Sequence, residues 1–178
     1  IKPLLEKPLI QYSIEVALQL PGIDKVFVST DDVDISKVAV ENGAIVIDRP
    51  SELAKDDSPE WLAWRHAINW VKDRYGDFEE FVSLPTTSPL RNVKDVESAI
   101  FKKRNTNADI CIVVTPAGRS PYFNMVKKST SDLMELVNKP TSPIFNRQDV
   151  PDVFDITTVA YVASVEFIMN SSNIFDGR

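Results

Sequence analysis

The strongest constraint on the fold of this chain is its regular alternation of short apolar runs with amphipathic segments of helical periodicity. Residues 26–29 read VFVS, residues 31–43 are amphipathic, and residues 44–47 read AIVI. A strand, a helix and a second strand in this order make a β-α-β unit, in which the two strands run parallel and the crossover is right-handed. A helical bundle or a β-sandwich would not show this alternation.

The alternation continues along the chain and predicts the helix ends. Helical periodicity also covers residues 7–20, 58–76 and 92–104, and the runs EFVSL and ADICIVVT follow the last two. The predicted N-caps are Asp34, Ser58 and Asn92, and the predicted C-terminal stops are Gly43 and Gly76. We therefore predict an α/β fold with a mostly parallel sheet and helices on both faces.

The pattern changes after Pro116. Residues 117–151 are rich in proline and polar side chains and have no clean period, whereas VAYVA at residues 159–163 reads as a returning strand. A chain of 178 residues with 43% hydrophobic content can bury one sizeable core. We predict a single domain over residues 1–178, with an excursion at residues 117–157 that serves association.

Composition excludes several classes of function. The net charge of −6 argues against a nucleic-acid surface, and no apolar run of 18 residues predicts a membrane span. The single cysteine, Cys111, lies in the apolar run ICIVV and is expected in the core. We expect a cytoplasmic protein, and the start without methionine leads us to expect a fragment.

Ligand-binding residues are expected where the strands end, because open α/β sheets bind ligands beyond the carboxyl ends of their strands. The segments there read STDD, DRPSELAKDD, PTTSPLR and TPAGRSP, and they contain Arg49, Arg91 and Arg119. Guanidinium groups match phosphates and carboxylates, and hydroxyl side chains adapt to sugar hydroxyls. The segment PTTSPLR, which follows the predicted strand ending at residue 84, is thus predicted to present hydroxyls and a cation to a ligand.

Five strings in order, with His66 between them, carry a family resemblance. They are IKPLLEKPLIQYSIE, VSTDD, RPSELA followed by an aspartate, TSPLR and RQDVP. In this order and spacing they resemble the acylneuraminate cytidylyltransferases, which make CMP-activated sialic acids and related nonulosonic acids. The resemblance covers nearly the whole chain.

The resemblance implies a fold and a reaction. The fold would be a Rossmann-like nucleotidyltransferase with three α/β/α layers and a dimerisation arm, working as a homodimer. The enzyme would transfer CMP from CTP to the anomeric hydroxyl of a sialic-type acid in a magnesium-dependent step that releases pyrophosphate. Such a step requires positioning and charge neutralisation rather than a covalent nucleophile.

The resemblance also implies roles for particular residues. Arg49 and Ser58 would bind the nucleotide, although Arg49 could instead pair with Asp48 or Glu52 and Ser58 could cap a helix. The substrate-binding residues would be Thr86, Thr87, Ser88, Arg91, Arg147, Gln148, Tyr161 and Phe175. Thr87 and Ser88 could also simply form a turn, and Tyr161 and Phe175 could pack in the core. The packed alternative is favoured for His66.

Two departures from the family pattern leave the sugar open. PTTSPLR lacks the glutamine that relatives direct at the sugar, and DITTVAY lacks an asparagine-glycine pair ahead of Tyr161. The triphosphate loop and the metal aspartates of the family would lie outside residues 1–178, so no metal ligand is assigned here and this stretch alone is not expected to turn over. Two alternatives therefore stay open: a non-catalytic homologue, or a cytidylyltransferase for another sugar acid such as an octulosonate.

Overall fold

The architecture is that of a computed structural model, which describes residues 1–139 and 146–178. The chain divides into two compact units. The main unit comprises residues 1–113 and 158–178, and the second unit comprises residues 114–157. Within the described ranges, the helices are too short or too polar to cross a lipid bilayer.

Helices and strands alternate through the main unit, as the sequence predicts. The helices are α1 (Leu9–Leu18), α2 (Val33–Glu41), α3 (Glu60–Tyr75), α4 (Val93–Arg104) and α5 (Val165–Asn170). The strands are β1 (Pro3–Leu4), β2 (Lys7–Pro8), β3 (Phe27–Thr30), β4 (Ile45–Asp48), β5 (Glu80–Ser83), β6 (Ile110–Pro116), β7 (Val126–Lys128), β8 (Met134–Leu136) and β9 (Phe154–Ser164). Short 3-10 helices cover Ser51–Leu53 and Arg147–Asp149.

Strand pairing confirms part of the predicted topology and corrects the rest. β3 and β4 pair in parallel, from Phe27 opposite Ile45 to Thr30 opposite Asp48, so the predicted β-α-β unit is present. β9, the last strand in the chain, lies between β5 and β6, and it runs antiparallel to β5. The prediction of a mostly parallel sheet is therefore wrong for this pair, because the returning strand enters the sheet in the opposite direction. The α/β class is confirmed.

Helix caps explain where the helices begin. Asn92 caps α4 in a capping box, since its side chain accepts from the Asp95 N–H and the Asp95 carboxylate accepts from the Asn92 N–H. The N-cap of α2 is Asp32, whose side chain accepts from the Ile35 N–H, and not the predicted Asp34. At α3 the cap position is Pro59, so the predicted cap role of Ser58 is wrong.

The C-terminal stops are partly as predicted. Gly76 ends α3 at a φ of 87°, a left-handed conformation that glycine adopts without a steric cost. α2 ends at Asn42, and the predicted stop Gly43 is the following residue, with a φ of 86°. The difference is one position, because the left-handed residue lies just outside the helix that it ends.

The largest core cluster joins α3 to the end of the chain. In this cluster α3 contributes Trp61, Trp64 and Ile68, and α5 contributes Val165 and Ile168. Full burial of one such aliphatic side chain contributes about 1.5–3 kcal/mol. The indole Nε1 of Trp61 donates to the carbonyls of Ile168 and Ser171, at 3.1 and 2.7 Å.

Arg65, one turn after Trp61, donates to the same two carbonyls: its Nε lies 2.9 Å from that of Ile168 and its Nη2 reaches that of Ser171. These side chains satisfy carbonyls at the C-terminal end of α5, which the helix itself leaves unpaired.

Cys111 is half-buried against a second cluster that contains Val96, Ala99 and Val162. Burial raises the pKa of its thiol, as expected for a packed cysteine.

The second unit contains a β-hairpin. β7 and β8 pair antiparallel, with Val126 opposite Leu136, and Asp132 in the connecting turn has a φ of 67°. Ion pairs link Lys127 to Glu135, at 3.8 Å, and Lys128 to Asp132. The unit occupies nearly the same residues as the predicted excursion, and its role in association stays a prediction.

Candidate functional site

Polar side chains gather after the parallel strands β3 and β4. Thr30 ends β3, is buried, and accepts through its Oγ1 from the Asp32 N–H at 3.1 Å. The next residue after β4, Arg49, donates its backbone N–H to the Thr30 carbonyl at 3.0 Å. The two strand ends are thus joined beyond the last ladder pair, which places Arg49 at the carboxyl edge of the sheet.

The half-buried side chain of Arg49 is held by one residue. Its Nε donates to the Ser29 hydroxyl at 3.1 Å and its Nη2 donates to the Ser29 carbonyl at 2.7 Å. Within residues 1–139 and 146–178 it forms no ion pair, so the alternative of a bridge to Asp48 or Glu52 is not what the structure shows. The guanidinium keeps donors that could still reach an anionic ligand.

Three hydroxyls meet where PTTSPLR approaches β9. The Thr87 hydroxyl donates to the Thr158 Oγ1 at 2.8 Å, and the Ser88 Oγ lies 2.7 Å from the same Thr158 atom. We call Thr87, Ser88 and Thr158 the strand-tip triad. Thr87 is exposed and the other two are half-buried, so the triad lies at the surface of the main unit.

Arg91 lies behind this surface. Its side chain is 7% exposed, and it donates from Nη1 to the Ser13 hydroxyl at 2.9 Å and from Nη2 to the carbonyls of Pro85 and Thr158. Desolvation lowers the pKa of Arg91 to about 10, so it stays protonated near neutral pH. The prediction that this segment presents a cation to solvent is therefore wrong, because the guanidinium instead ties α1, the β5 loop and β9 together.

Tyr161 and Phe175 occupy different environments. Tyr161 lies in β9, half-buried against Trp64 with ring centroids 5.5 Å apart. Burial raises the pKa of its hydroxyl, and Glu60 adds to the effect. Phe175 is 72% exposed and therefore does not pack in the core. The packing alternative fits Tyr161 and not Phe175. The predicted role of Tyr161 and Phe175 in substrate binding stays a prediction.

Ser58 and His66 lie before and within α3. The Ser58 N–H donates to the Lys55 carbonyl at 3.0 Å, which makes Ser58 part of the turn before α3. The Nδ1 of His66 is buried, as expected for a packed histidine. Among the described residues this nitrogen has no hydrogen-bond partner. Nucleotide binding by Ser58 stays a prediction.

Arg147 and Gln148 belong to the second unit and lie in its 3-10 helix. Gln148 is exposed, and the side chain of Arg147 lies outside what the structure describes. The helix begins after Asn146, whose Nδ2 donates to the Asp149 carboxylate at 3.0 Å. The predicted contact of Arg147 and Gln148 with an acidic sugar stays a prediction.

Possible metal ligands do not converge in the described ranges. Residues 1–139 and 146–178 hold no group of three carboxylate, histidine or cysteine side chains arranged for a metal ion. Of the two aspartates in STDD, Asp32 uses one carboxylate oxygen to accept the hydrogen bond that caps α2. These residues therefore do not fit a magnesium site on their own.

Three site residues were missed by sequence reasoning. Thr158, Ser13 and Ser29 each hold a predicted site residue in place, from 71, 78 and 20 positions away along the chain. For Thr158 a signal existed, since DITTVAY was already noted as unusual. The contact itself could not be read, because local patterns do not show which loop a strand end will meet.

Comparison with known proteins gives a family match. The sequence profile that describes the family Cytidylyltransferase matches residues 1–173. The chain is similar to an N-acylneuraminate cytidylyltransferase of Escherichia coli O18:K1:H7, with 33% identity over 118 residues, 66% of this chain and 27% of that protein. It is also similar to a CMP-N,N'-diacetyllegionaminic acid synthase of Campylobacter jejuni, with 26% identity over 169 residues, 94% of this chain and 71% of that protein.

A solved structure shares the fold. It is a CMP:2-keto-3-deoxy-manno-octonic acid synthetase complexed with CTP, which superposes with a TM-score of 0.65 at 16% identity. The superposition covers 97% of this chain and 71% of that one. At this identity the likeness establishes a shared fold and no more.

Proposed function

The chain belongs to the cytidylyltransferase family, and from that membership we propose that the protein transfers CMP from CTP to the anomeric hydroxyl of a sialic-type (nonulosonic) acid. The observation that carries the proposal is the family match over residues 1–173. The named relatives, which act on N-acylneuraminate or make CMP-N,N'-diacetyllegionaminic acid, support an acidic sugar as the acceptor.

The chemistry agrees with what the main unit offers. The sugar oxygen forms a bond to the α-phosphorus, the bond from that phosphorus to the pyrophosphate oxygen breaks, and the hydroxyl proton is released. Because charge moves onto the leaving pyrophosphate, the step needs fixed cations and an in-line acceptor. Arg49, at the β4 end with donors to spare, supports nucleotide binding on the CTP side.

On the sugar side, the acceptor would be bound by the hydroxyls after β5 and by residues of the second unit. Thr86, Thr87 and Ser88 would face the sugar, Tyr161 and Phe175 would border it, and Arg147 with Gln148 would meet its carboxylate. We further propose a homodimer in which Arg147 serves the site of the partner. Magnesium would neutralise the triphosphate, and we propose no ligand for it among the described residues.

The direct test is a product assay with the full-length protein. It would be given CTP, magnesium and a panel of nonulosonic and octulosonic acids, with CMP-sugar detected by mass spectrometry. Product with a nonulosonic acid is the expected result. Product with an octulosonic acid alone would overturn the proposed sugar class, and bound CTP without any product would overturn the proposed reaction.

Arg147→Ala tests the proposed carboxylate contact. If the guanidinium pairs with a buried sugar carboxylate, the variant should lose about 2–4 kcal/mol in kcat/KM for the sugar while the Kd for CTP stays unchanged. A matched control is Lys128→Ala, which removes an exposed cation of the same unit that pairs with Asp132. An equal loss of CTP binding in Arg147→Ala would show that the arginine does not serve the sugar.

A further inference from the structure

Thr158 is the member of the strand-tip triad that bonds to both of the others. Its hydroxyl is the shared partner of Thr87 and Ser88, whose own hydroxyls form no other hydrogen bond within the described part of the chain. Both distances, 2.8 and 2.7 Å, are typical of good O–H···O hydrogen bonds. The side chain of Thr158 therefore fixes the rotation of two hydroxyls that stand on a different segment of the chain.

The bonds inside the triad leave it rich in acceptors and poor in donors. Each hydroxyl has one proton and two lone pairs. Two of the three protons are used between the members, whichever way the Ser88 to Thr158 bond points, so a single proton is left to donate outward. Most of the lone pairs stay unused, so the triad is a neutral acceptor surface.

Arg91 binds two backbone carbonyls that would otherwise be free to meet a ligand at this surface. The carbonyls of Pro85 and Thr158 accept from its buried Nη2 and therefore turn toward the interior. The guanidinium itself is 7% exposed, so its charge is directed at protein acceptors. The polar groups that the segment presents to a ligand are thus hydroxyl oxygens, beside the exposed side chain of Leu90. Carboxylates and phosphates need donors or cations, whereas hydroxyl and amide N–H groups need acceptors.

We infer that Thr158 is a specificity-determining positioning residue, which orients Thr87 and Ser88 so that the triad accepts hydrogen bonds from hydroxyl or N-acylamino N–H groups of the acidic sugar. The inference rests on the proposed function for the sugar itself. It assigns the neutral donor groups of the sugar to the triad and leaves its carboxylate to a cationic residue elsewhere.

The test is Thr158→Val in the full-length protein, which keeps the shape of the side chain and removes its hydroxyl. The accepted sugar and an analogue with one hydroxyl replaced by hydrogen would be compared, together with an N-methylated form of the acylamino group. The wild type should discriminate against one of these analogues by about tenfold or more, and the variant by no more than about twofold. The sugar KM should rise about tenfold, with kcat and the Kd for CTP unchanged.

Three further variants keep the result interpretable. Thr158→Ser restores the hydroxyl and should restore discrimination. Ser88→Ala removes one member without altering β9, and it replaces Thr158→Val if that variant does not fold. Thr106→Val is the matched control, since its hydroxyl bonds to Lys102 at the end of α4 and should leave every value unchanged.

The outcomes separate this inference from the proposed function. If the wild type makes CMP-sugar and Thr158→Val discriminates as well as the wild type, the triad inference is wrong and the function stands. If the wild type makes no product but binds a sugar acid by calorimetry, the function fails and the same comparison of analogues is made on Kd. Failure of the wild type to bind any of the acids would overturn both.

Discussion

Two arginines of this molecule lie in segments that follow strands of the main unit, yet their side chains have different roles in the structure. Arg49 comes directly after β4 and is half-buried, and among the described residues its side chain bonds only to Ser29. Arg91 follows β5, is 7% exposed, and bonds to Ser13, Pro85 and Thr158 from three segments. An arginine at a strand end can therefore either face a ligand or hold the edge of the site together, and the number of segments that it joins distinguishes the two roles.

The largest effect should come from Arg91→Leu. Loss of the guanidinium leaves the half-buried carbonyls of Pro85 and Thr158 and the buried Ser13 hydroxyl without this donor. An unpaired acceptor away from water costs about 1–3 kcal/mol, and we expect the lower end of this range for the half-buried carbonyls. We expect the free energy of unfolding to fall by about 3 kcal/mol in urea titrations. Since the pKa of Arg91 is about 10 and its unfolded value is higher, the loss should be equal at about pH 6 and about pH 8.

The control for Arg91→Leu is Arg104→Leu, an arginine whose bond to Glu80 is exposed to solvent. Exposed pairs contribute at most about 1 kcal/mol, so this variant should stay close to the wild type. Equal losses in the two variants would mean that Arg91 has no special structural role, and the comparison with Arg49 would fail.

A smaller effect on folding, but a larger one on ligand binding, is expected for Arg49→Ala. Its two bonds to Ser29 are half-buried, so the free energy of unfolding should fall by about 1 kcal/mol or less. The Kd for CTP should rise about tenfold, equivalent to about 1.4 kcal/mol, if the guanidinium contacts the nucleotide. Calorimetry with CTP measures this, with the exposed Lys55→Ala as control. An unchanged Kd would remove Arg49 from the nucleotide site.

The finest test uses the two serines that hold these arginines. Ser13 is buried, so Ser13→Ala leaves an N–H of Arg91 unpaired away from water and should cost about 1–2 kcal/mol in the free energy of unfolding. Ser29 is half-buried, so water can replace its hydroxyl and Ser29→Ala should cost a few tenths of a kcal/mol. If urea titrations showed the same loss in free energy of unfolding for both serine variants, the proposed difference between Arg49 and Arg91 would be wrong.

The parts of the structure that could be predicted from sequence are local ones. The period of each segment predicted the helices and strands, and the Asn92 cap was predicted because a cap and its N3 partner lie in one short stretch. The β3 and β4 pair followed for the same reason, since a single crossover connects them. The family resemblance, built on five short strings, is confirmed by the profile match.

The parts that could not be predicted depend on distant contacts. No local pattern shows that β9 runs antiparallel to β5, or that Arg91 reaches Ser13 in α1. Burial of an arginine depends on which distant segments supply its acceptors, and two acceptors of Arg91, Ser13 and Thr158, lie 78 and 67 residues away along the chain. The strand-tip triad was missed for this reason, since Thr158 meets Thr87 only after the sheet has formed.

The position of β9 and α5 sets an order of assembly during protein synthesis. Ile168, whose carbonyl accepts from Trp61, follows it by 107 residues. At about 10 residues per second, a ribosome would take roughly ten seconds to make that stretch. Until the end of this interval β5 and β6 lack the strand that lies between them, and α3 lacks the α5 surface that covers its tryptophans. The main unit should therefore complete its folding only after α5 has been made.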